Sequence, residues 1–169
     1  MQRSKQGFTL MEVLVVVTVL SLLALSGLSK TLYDYYASWR QREVLHDQAL
    51  ALISLIDRAR SQAIHSGRPV YLCGGESCDG GWSNYVYLSP ERSSSAAYVG
   101  GIFLPSVTII WRGFPVYRRY IVFLPTGLSA YQNGSFYLCS KGDPALRIVV
   151  SQSGRAYLDP DVYYSEACR

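Results

Sequence analysis

Charge and histidine are both scarce in this chain. Charged residues make up 17% of its 169 positions, against roughly 25% in an average soluble domain. The only histidines are His46 and His65. They lie too far apart on one helical segment to share a metal, and no C-x-x-C pair accompanies them, so a zinc site is excluded and no cofactor is expected. No glycine-rich phosphate loop is present. Neither Gly75-Glu76-Ser77 nor Leu88-Ser89-Pro90 frames a nucleophile between glycines. The four cysteines, if paired, leave no free thiolate for catalysis. The chain therefore reads as a protein that is not an enzyme. Disorder is excluded as well: 49% apolar residues, with 14 tyrosines among the aromatics, offset the entropy of ordering. No short period recurs, which removes collagen-like and coiled-coil arrays.

What charge there is lies unevenly. From Val13 to Ser29 there is none, in the run VLVVVTVLSLLALSGLS. Together with Phe8 to Glu12 this makes about 21 mostly apolar positions, near the ~20 that a helix needs to cross a bilayer. Arg3 and Lys5 precede the run and only Lys30 follows closely. The positive-inside rule then puts the start in the cytoplasm and the remainder outside it, in an oxidising space. Without Arg3 and Lys5 the net charge of +4 falls to +2, a field too small to announce a nucleic-acid binder. A conventional secretory signal cut near Ala24-Leu25-Ser26 is the competing reading. Glu12 argues against it, because a carboxylate at the mouth of an apolar run is costly and a disposable signal has no use for one.

The residues Gly7-Phe8-Thr9-Leu10-Met11-Glu12 closely resemble the cleavage motif of type IV pilins and type II secretion pseudopilins. The resemblance implies that residues 1–7 are a leader, cut between Gly7 and Phe8 by a prepilin peptidase, that Phe8 is then N-methylated, and that the apolar helix is retained. Glu12 has a physical role on its own account. Cleavage leaves a cationic amine on Phe8, and a carboxylate four positions along a helix is its near neighbour. Between adjacent subunits the same pairing removes two buried charges, whose isolation would cost several kcal/mol, and fixes axial register.

Beyond the span, Leu45, Ala49, Leu52, Ile56, Ala59 and Ala63 recur at spacings of four and three, an apolar stripe on a helix. Arg40, Arg42, Asp47, Asp57 and Arg60 fall off that stripe, toward solvent or the rim. Gly67 and Pro69 stop the helix. One helix from about Phe8 to Ser66, bent near Gly27, is predicted. From there the pattern turns to strands: Val70–Cys73, Tyr85–Leu88, Val107–Trp111, Tyr120–Leu124, Ser135–Cys139 and Arg147–Val150. Asn133-Gly134 reads as a hairpin turn, and Ser89 to Ala97 as an exposed loop. Helix first and strands afterwards means α+β, an antiparallel sheet set with one face covered by the helix. The organisation is then a leader (1–7), a membrane and filament-core helix (8–29), its amphipathic continuation (30–67) and a β-rich domain (68–169).

This second half has its own resemblance. Arg60-Ser61-Gln62-Ala63-Ile64, a glycine turn, Pro69-Val70-Tyr71-Leu72-Cys73 and Gly81-Trp82 are similar to the minor-pilin family of FimT, FimU and the H-type pseudopilin of type II secretion. Phe136-Tyr137-Leu138-Cys139 and the run Arg147 to Arg155 fit that family's C-terminal strands. The resemblance implies a pilin fold and a minor subunit that starts assembly at or near a filament tip. Its implied partners are major and minor pilins or pseudopilins, the prepilin peptidase and an inner-membrane assembly platform. Its implied location is the inner membrane, crossed once, with the C-terminal domain periplasmic, and then the pilus or pseudopilus. The H-type role in type II secretion and a DNA-binding role in transformation are the alternatives.

Four cysteines allow three pairings. Cys73 and Cys78 flank a short glycine loop that a disulfide closes, and Cys139 with Cys168 pins the C-terminal segment to a strand. The second bridge encloses about 30 residues and adds roughly 3–4 kcal/mol in the chain-entropy model. For DNA, some FimT-type relatives use a Gly-Arg-x-Arg motif. Here the matching stretch is Gly154-Arg155-Ala156-Tyr157, with tyrosine in place of the second arginine. Lys141, Arg147, Arg155 and Arg169 remain as candidate DNA contacts, weighed against their being ordinary solvated charges.

Overall fold

A computed structural model describes residues 8–25, 28–83, 85–92, 100–104, 107–140, 143–159 and 168. The chain divides into two units, Met1–Gln41 and Arg42–Arg169. Helix α1 (Leu10–Leu25) lies in the first, and α2 (Leu28–Ser66) runs from the first into the second. The span expected over 8–29 is represented by α1, 16 residues long, or about 24 Å. Among the described residues no helix is long and apolar enough to cross a membrane. The bend expected near Gly27 lies outside the described residues, as does the leader 1–7.

Thr9 starts α1. Its hydroxyl accepts from the Glu12 N–H at 3.3 Å and its carbonyl from the Val13 N–H at 3.2 Å, so Thr9 is the N-cap of the helix. The Thr18 and Ser21 hydroxyls donate to the carbonyls of Val15 (2.8 Å) and Val17 (2.7 Å). Their polarity is thereby satisfied within the helix. Large apolar side chains of α1 from Leu10 to Leu23 are exposed.

In the second unit α2 is amphipathic. Leu45, Ala49, Leu52, Ile56, Ala59 and Ala63 are all buried, joined by Leu55, while Arg42, Asp47 and Asp57 are exposed. Arg60 sits at the rim, half-buried, where its Nε donates to the Gly127 carbonyl at 3.0 Å. The helix stops at Ser66, where Gly67 takes a left-handed φ of 63°.

Among the described residues eight strands follow: β1 (Val70–Gly74), β2 (Tyr85–Ser89), β3 (Gly100–Phe103), β4 (Thr108–Phe114), β5 (Tyr120–Phe123), β6 (Asn133–Ser140), β7 (Asp143–Val150) and β8 (Ala156–Asp159). They form two four-stranded sheets, in the orders β3-β2-β1-β5 and β4-β6-β7-β8. All their pairings are antiparallel. Alternation along the strands sorts the side chains by face. Val70, Leu72, Val86, Leu88, Ile121 and Phe123 of the first sheet, and Ile109, Phe136, Leu138, Ile148 and Val150 of the second, join the α2 stripe in one core. The opposite faces carry tyrosines and disulfides. Cys73–Cys78 packs with Tyr71, Tyr85, Tyr87 and Tyr120, and Cys139–Cys168 with Tyr137 and Ile110.

Three sequence expectations change here. Asn133-Gly134 is not a hairpin turn: both residues begin β6, opposite Phe114 and Gly113. The glycine serves close approach instead, since a Cβ on Gly134 would strike the Gly113 Cα and lie 2.8 Å from the Trp111 ring. Ser89 is no loop residue but the buried end of β2, its hydroxyl donating to the Glu91 carbonyl at 2.6 Å; residues 93–99 of the expected loop lie outside the described residues. Strands β3 and β8 were not anticipated from the pattern.

The edge strands β4 and β5 are closed by side chains. The Ser83 hydroxyl accepts from the Ile109 N–H at 3.0 Å. The buried Gln132 amide accepts from the Val122 N–H and donates to the Tyr120 carbonyl, both at 2.7 Å, taking the place of a neighbouring strand. Ser129 anchors the same turn, donating to the Gln132 carbonyl and lying 3.1 Å from the Gln152 carbonyl. Gly154 (φ 75°) packs so closely there that a Cβ would collide with the Gly127 carbonyl.

Two stability predictions follow from this turn, read by denaturant unfolding of the full chain in mild detergent. Gln132→Leu, which leaves two buried backbone groups unpaired, lowers stability by about 2–4 kcal/mol; a loss below about 0.5 kcal/mol would contradict the edge role. Gly154→Ala costs at least about 2 kcal/mol through strain and collision, whereas Arg155→Ala changes stability little.

Candidate functional site

The start of α1 holds the first group of expected site residues. Phe8 is 82% exposed and Glu12 lies in the first helical turn, where the unpaired N–H groups of the helix favour a negative charge. Gly7 lies outside the described residues. Around this carboxylate the helix surface is apolar on every side, with Leu10, Met11, Val13 and Leu14 exposed. A helix that is hydrophobic all round is covered, by lipid or by other helices, in its working state. The cap that Thr9 provides was not recognised from the sequence, although Thr-x-x-Glu before an apolar run is its signature.

The four cysteines form two disulfides, Cys73–Cys78 and Cys139–Cys168, with Cα atoms 4.6 Å and 5.9 Å apart respectively. Burial pushes the Tyr87 hydroxyl, beside the first bridge, above its ordinary pKa. Among the described residues no group of His, Cys, Asp and Glu is placed to hold a metal.

The candidate DNA contacts do not assemble. Lys141 and Arg169 lie outside the described residues. Arg147 is committed to its own sheet: Nη1 pairs with Asp159 at 3.3 Å, Nε donates to the Ser135 hydroxyl at 3.0 Å, and the guanidinium lies 5.9 Å from the Tyr137 ring. Arg155 is exposed, its N–H donating to the Ser151 hydroxyl at 3.3 Å within the Ser151–Arg155 turn. The Gly154 of that motif answers to packing against Gly127, and needs no ligand to account for it.

A different set of cations was missed. Arg92, Arg118 and Arg119 line one cleft, with Tyr117 and Tyr120. Arg118-Arg119 between tyrosines was the signal available in the sequence, but only the fold brings Arg92 beside it.

Comparison with known proteins places this geometry. Residues 48–154 match the family model of type II transport protein GspH, and residues 2–28 match the prokaryotic N-terminal methylation motif. No curated protein matches significantly. Two crystal forms of the type IV minor pilin FimU of Pseudomonas aeruginosa are similar in fold, at 20% identity, with TM-scores of 0.57 and 0.60. The alignments cover 68% and 72% of this chain and 92% of FimU in each case. Since the GspH match takes in well over half of its residues, the chain belongs to the GspH family of pilin-like minor subunits, structural proteins and not enzymes, and it carries that group's N-methylation motif.

Proposed function

We propose that the chain is made as a precursor and matures into a minor subunit of a type IV pilus, helping to start assembly at or near the filament tip. In this reading a prepilin peptidase removes residues 1–7 and Phe8 is N-methylated. Residues 8–29 then hold the chain in the inner membrane, with the domain from 68 onward in the periplasm, until the assembly platform moves it into the filament. The carrying observation is α1: exposed apolar surface along its length, interrupted by one carboxylate at its first turn. Lipid covers such a helix before assembly and neighbouring subunits cover it afterwards. Glu12, four residues from the new amine, gives each incoming subunit a charge to pair and so a register.

The H-type subunit of a type II secretion system is the second reading, favoured by the description of the matching family. The physical role of α1 is the same in both machines. DNA capture is not favoured: Arg147 is ion-paired and Tyr157 stands where a second arginine is needed.

Glu12→Val in the native host tests the reading. The variant protein accumulates in the membrane at normal level, while filaments, or secreted type II substrates, fall at least about tenfold, the loss of one buried charge pairing. Whichever of the two outputs falls identifies the machine. Arg155→Ala leaves both intact. Normal assembly of Glu12→Val would sink the proposal, and loss of DNA uptake in Arg155→Ala with filaments retained would favour DNA capture.

A further inference from the structure

The connection between β4 and β5 folds beside the Cys73–Cys78 loop and leaves two adjoining clefts. The first, about 400 Å³, is lined by Arg92, Arg118 and Arg119, by Tyr117 and Tyr120, and by a single carboxylate, Asp79. The second, about 360 Å³, shares Asp79, Arg118 and Arg119 and adds the apolar side chains of Trp82, Trp111 and Val116.

Arg92 and Arg119 are held by uncharged partners. The Arg92 guanidinium lies 4.8 Å from the Tyr120 ring centroid. Arg119 Nη1 donates to the Asp79 backbone carbonyl at 3.5 Å, while the Asp79 carboxylate accepts from the Gly81 N–H at 3.0 Å. Among the described residues none of the three arginines is ion-paired; the described ion pair is Arg147–Asp159. Among the described residues three arginines and one aspartate line the cleft, an excess of positive charge that attracts anions. Beside them Phe114, Val116 and Tyr117 are 65%, 89% and 79% exposed. Arginine and tyrosine next to uncovered apolar side chains is the composition of a protein–protein hot spot.

We infer that this pair of clefts docks an acidic segment of a neighbouring protein subunit, its carboxylates taken by Arg92, Arg118 and Arg119 and an adjacent apolar side chain seated against Trp111 and Val116. The inference rests on the proposal that the chain works by joining other subunits, and adds the chemistry of one contact. Charge complementarity selects the occupant. A guanidinium fork matches a carboxylate in two parallel hydrogen bonds, and Trp111 and Val116 in the adjoining cleft suit an apolar side chain rather than a phosphate. A nucleic-acid strand asks instead for cations spread along a track that follows its backbone, and here Arg92, Arg118 and Arg119 share one cleft.

The test is fluorescence anisotropy on the full chain in neutral detergent. Three probes are compared: a short labelled peptide alternating Glu and Leu, its twin with Gln for Glu, and an oligothymidylate of equal charge. The acidic peptide binds, and the Gln twin binds at least about tenfold more weakly, the value of one charged hydrogen bond. The double variant Arg118→Gln, Arg119→Gln loses at least as much for the acidic peptide, with tryptophan emission and both disulfides unchanged as evidence of folding. Arg118→Lys with Arg119→Lys recovers only part, because the charge returns without the fork. Absence of peptide binding, equal binding of the twin, or an undiminished double variant overturns the inference. So does oligothymidylate binding that is tighter than the peptide's and lost in the double variant, which would make the cleft a nucleic-acid site. Peptide binding is read without assembly, so failure here leaves the subunit proposal standing, and failure of the Glu12 test leaves this result untouched.

Discussion

The second unit depends on one stripe of side chains that cannot remain in water. Leu45, Ala49, Leu52, Leu55, Ile56, Ala59 and Ala63 run down one side of α2, none more than 4% exposed. Three of the seven are alanines, which let the helix approach the sheets closely. Both sheets contribute to the same core, so neither has a complete apolar face of its own without the helix. The far side of that core is closed by rings: Phe136 lies 4.9 Å from Trp82 and 4.5 Å from Trp111, centroid to centroid. Trp111 in turn requires Gly113 and Gly134, because a Cβ on either would enter its ring. The disulfides lie at the opposite faces of the sheets, amid tyrosines.

Helix α1 presents the reverse situation. Its apolar side chains are uncovered, and its hydroxyls are spent on its own carbonyls. Surface of this kind, worth about 25 cal/mol per Å² when removed from water, drives the chain into lipid or against other helices. A single carboxylate in such a surface is expensive unless partnered, which is why the proposed function gives Glu12 a charge to pair with. The family match and the methylation motif accord with this division between a unit that folds on itself and a helix that is completed by its surroundings.

Much of this was legible in the residues. The stripe of α2 has a strict period, and Gly67 and Pro69 mark its end, because helix signals are local. Six of the eight strands show as β-branched and aromatic runs for the same reason. What escaped notice depends on contacts between distant residues. Strand β3 opens on Gly100-Gly101, which has no β signal until β2 lies beside it, and β8 is a short edge that borrows its structure from β7. Asn133-Gly134 has the composition of a hairpin turn, but the proximity of Gly113 and Trp111 decided its use. Arg147 looked like a surface cation until Asp159 came within 3.3 Å. The arginine cleft gathers residues from three separate stretches of chain, and no spacing rule reports such a site.

In the proposed function the chain begins life as a precursor and works through a helix whose charged end is created by cleavage. The intact mass of the protein purified from its native host tests it most directly. The expected mass is that of a chain starting at Phe8 and carrying one methyl group, with Gly7 and everything before it removed. A mass corresponding to a start at Met1, or to a mature end near Leu28 as a conventional signal would leave, would contradict it.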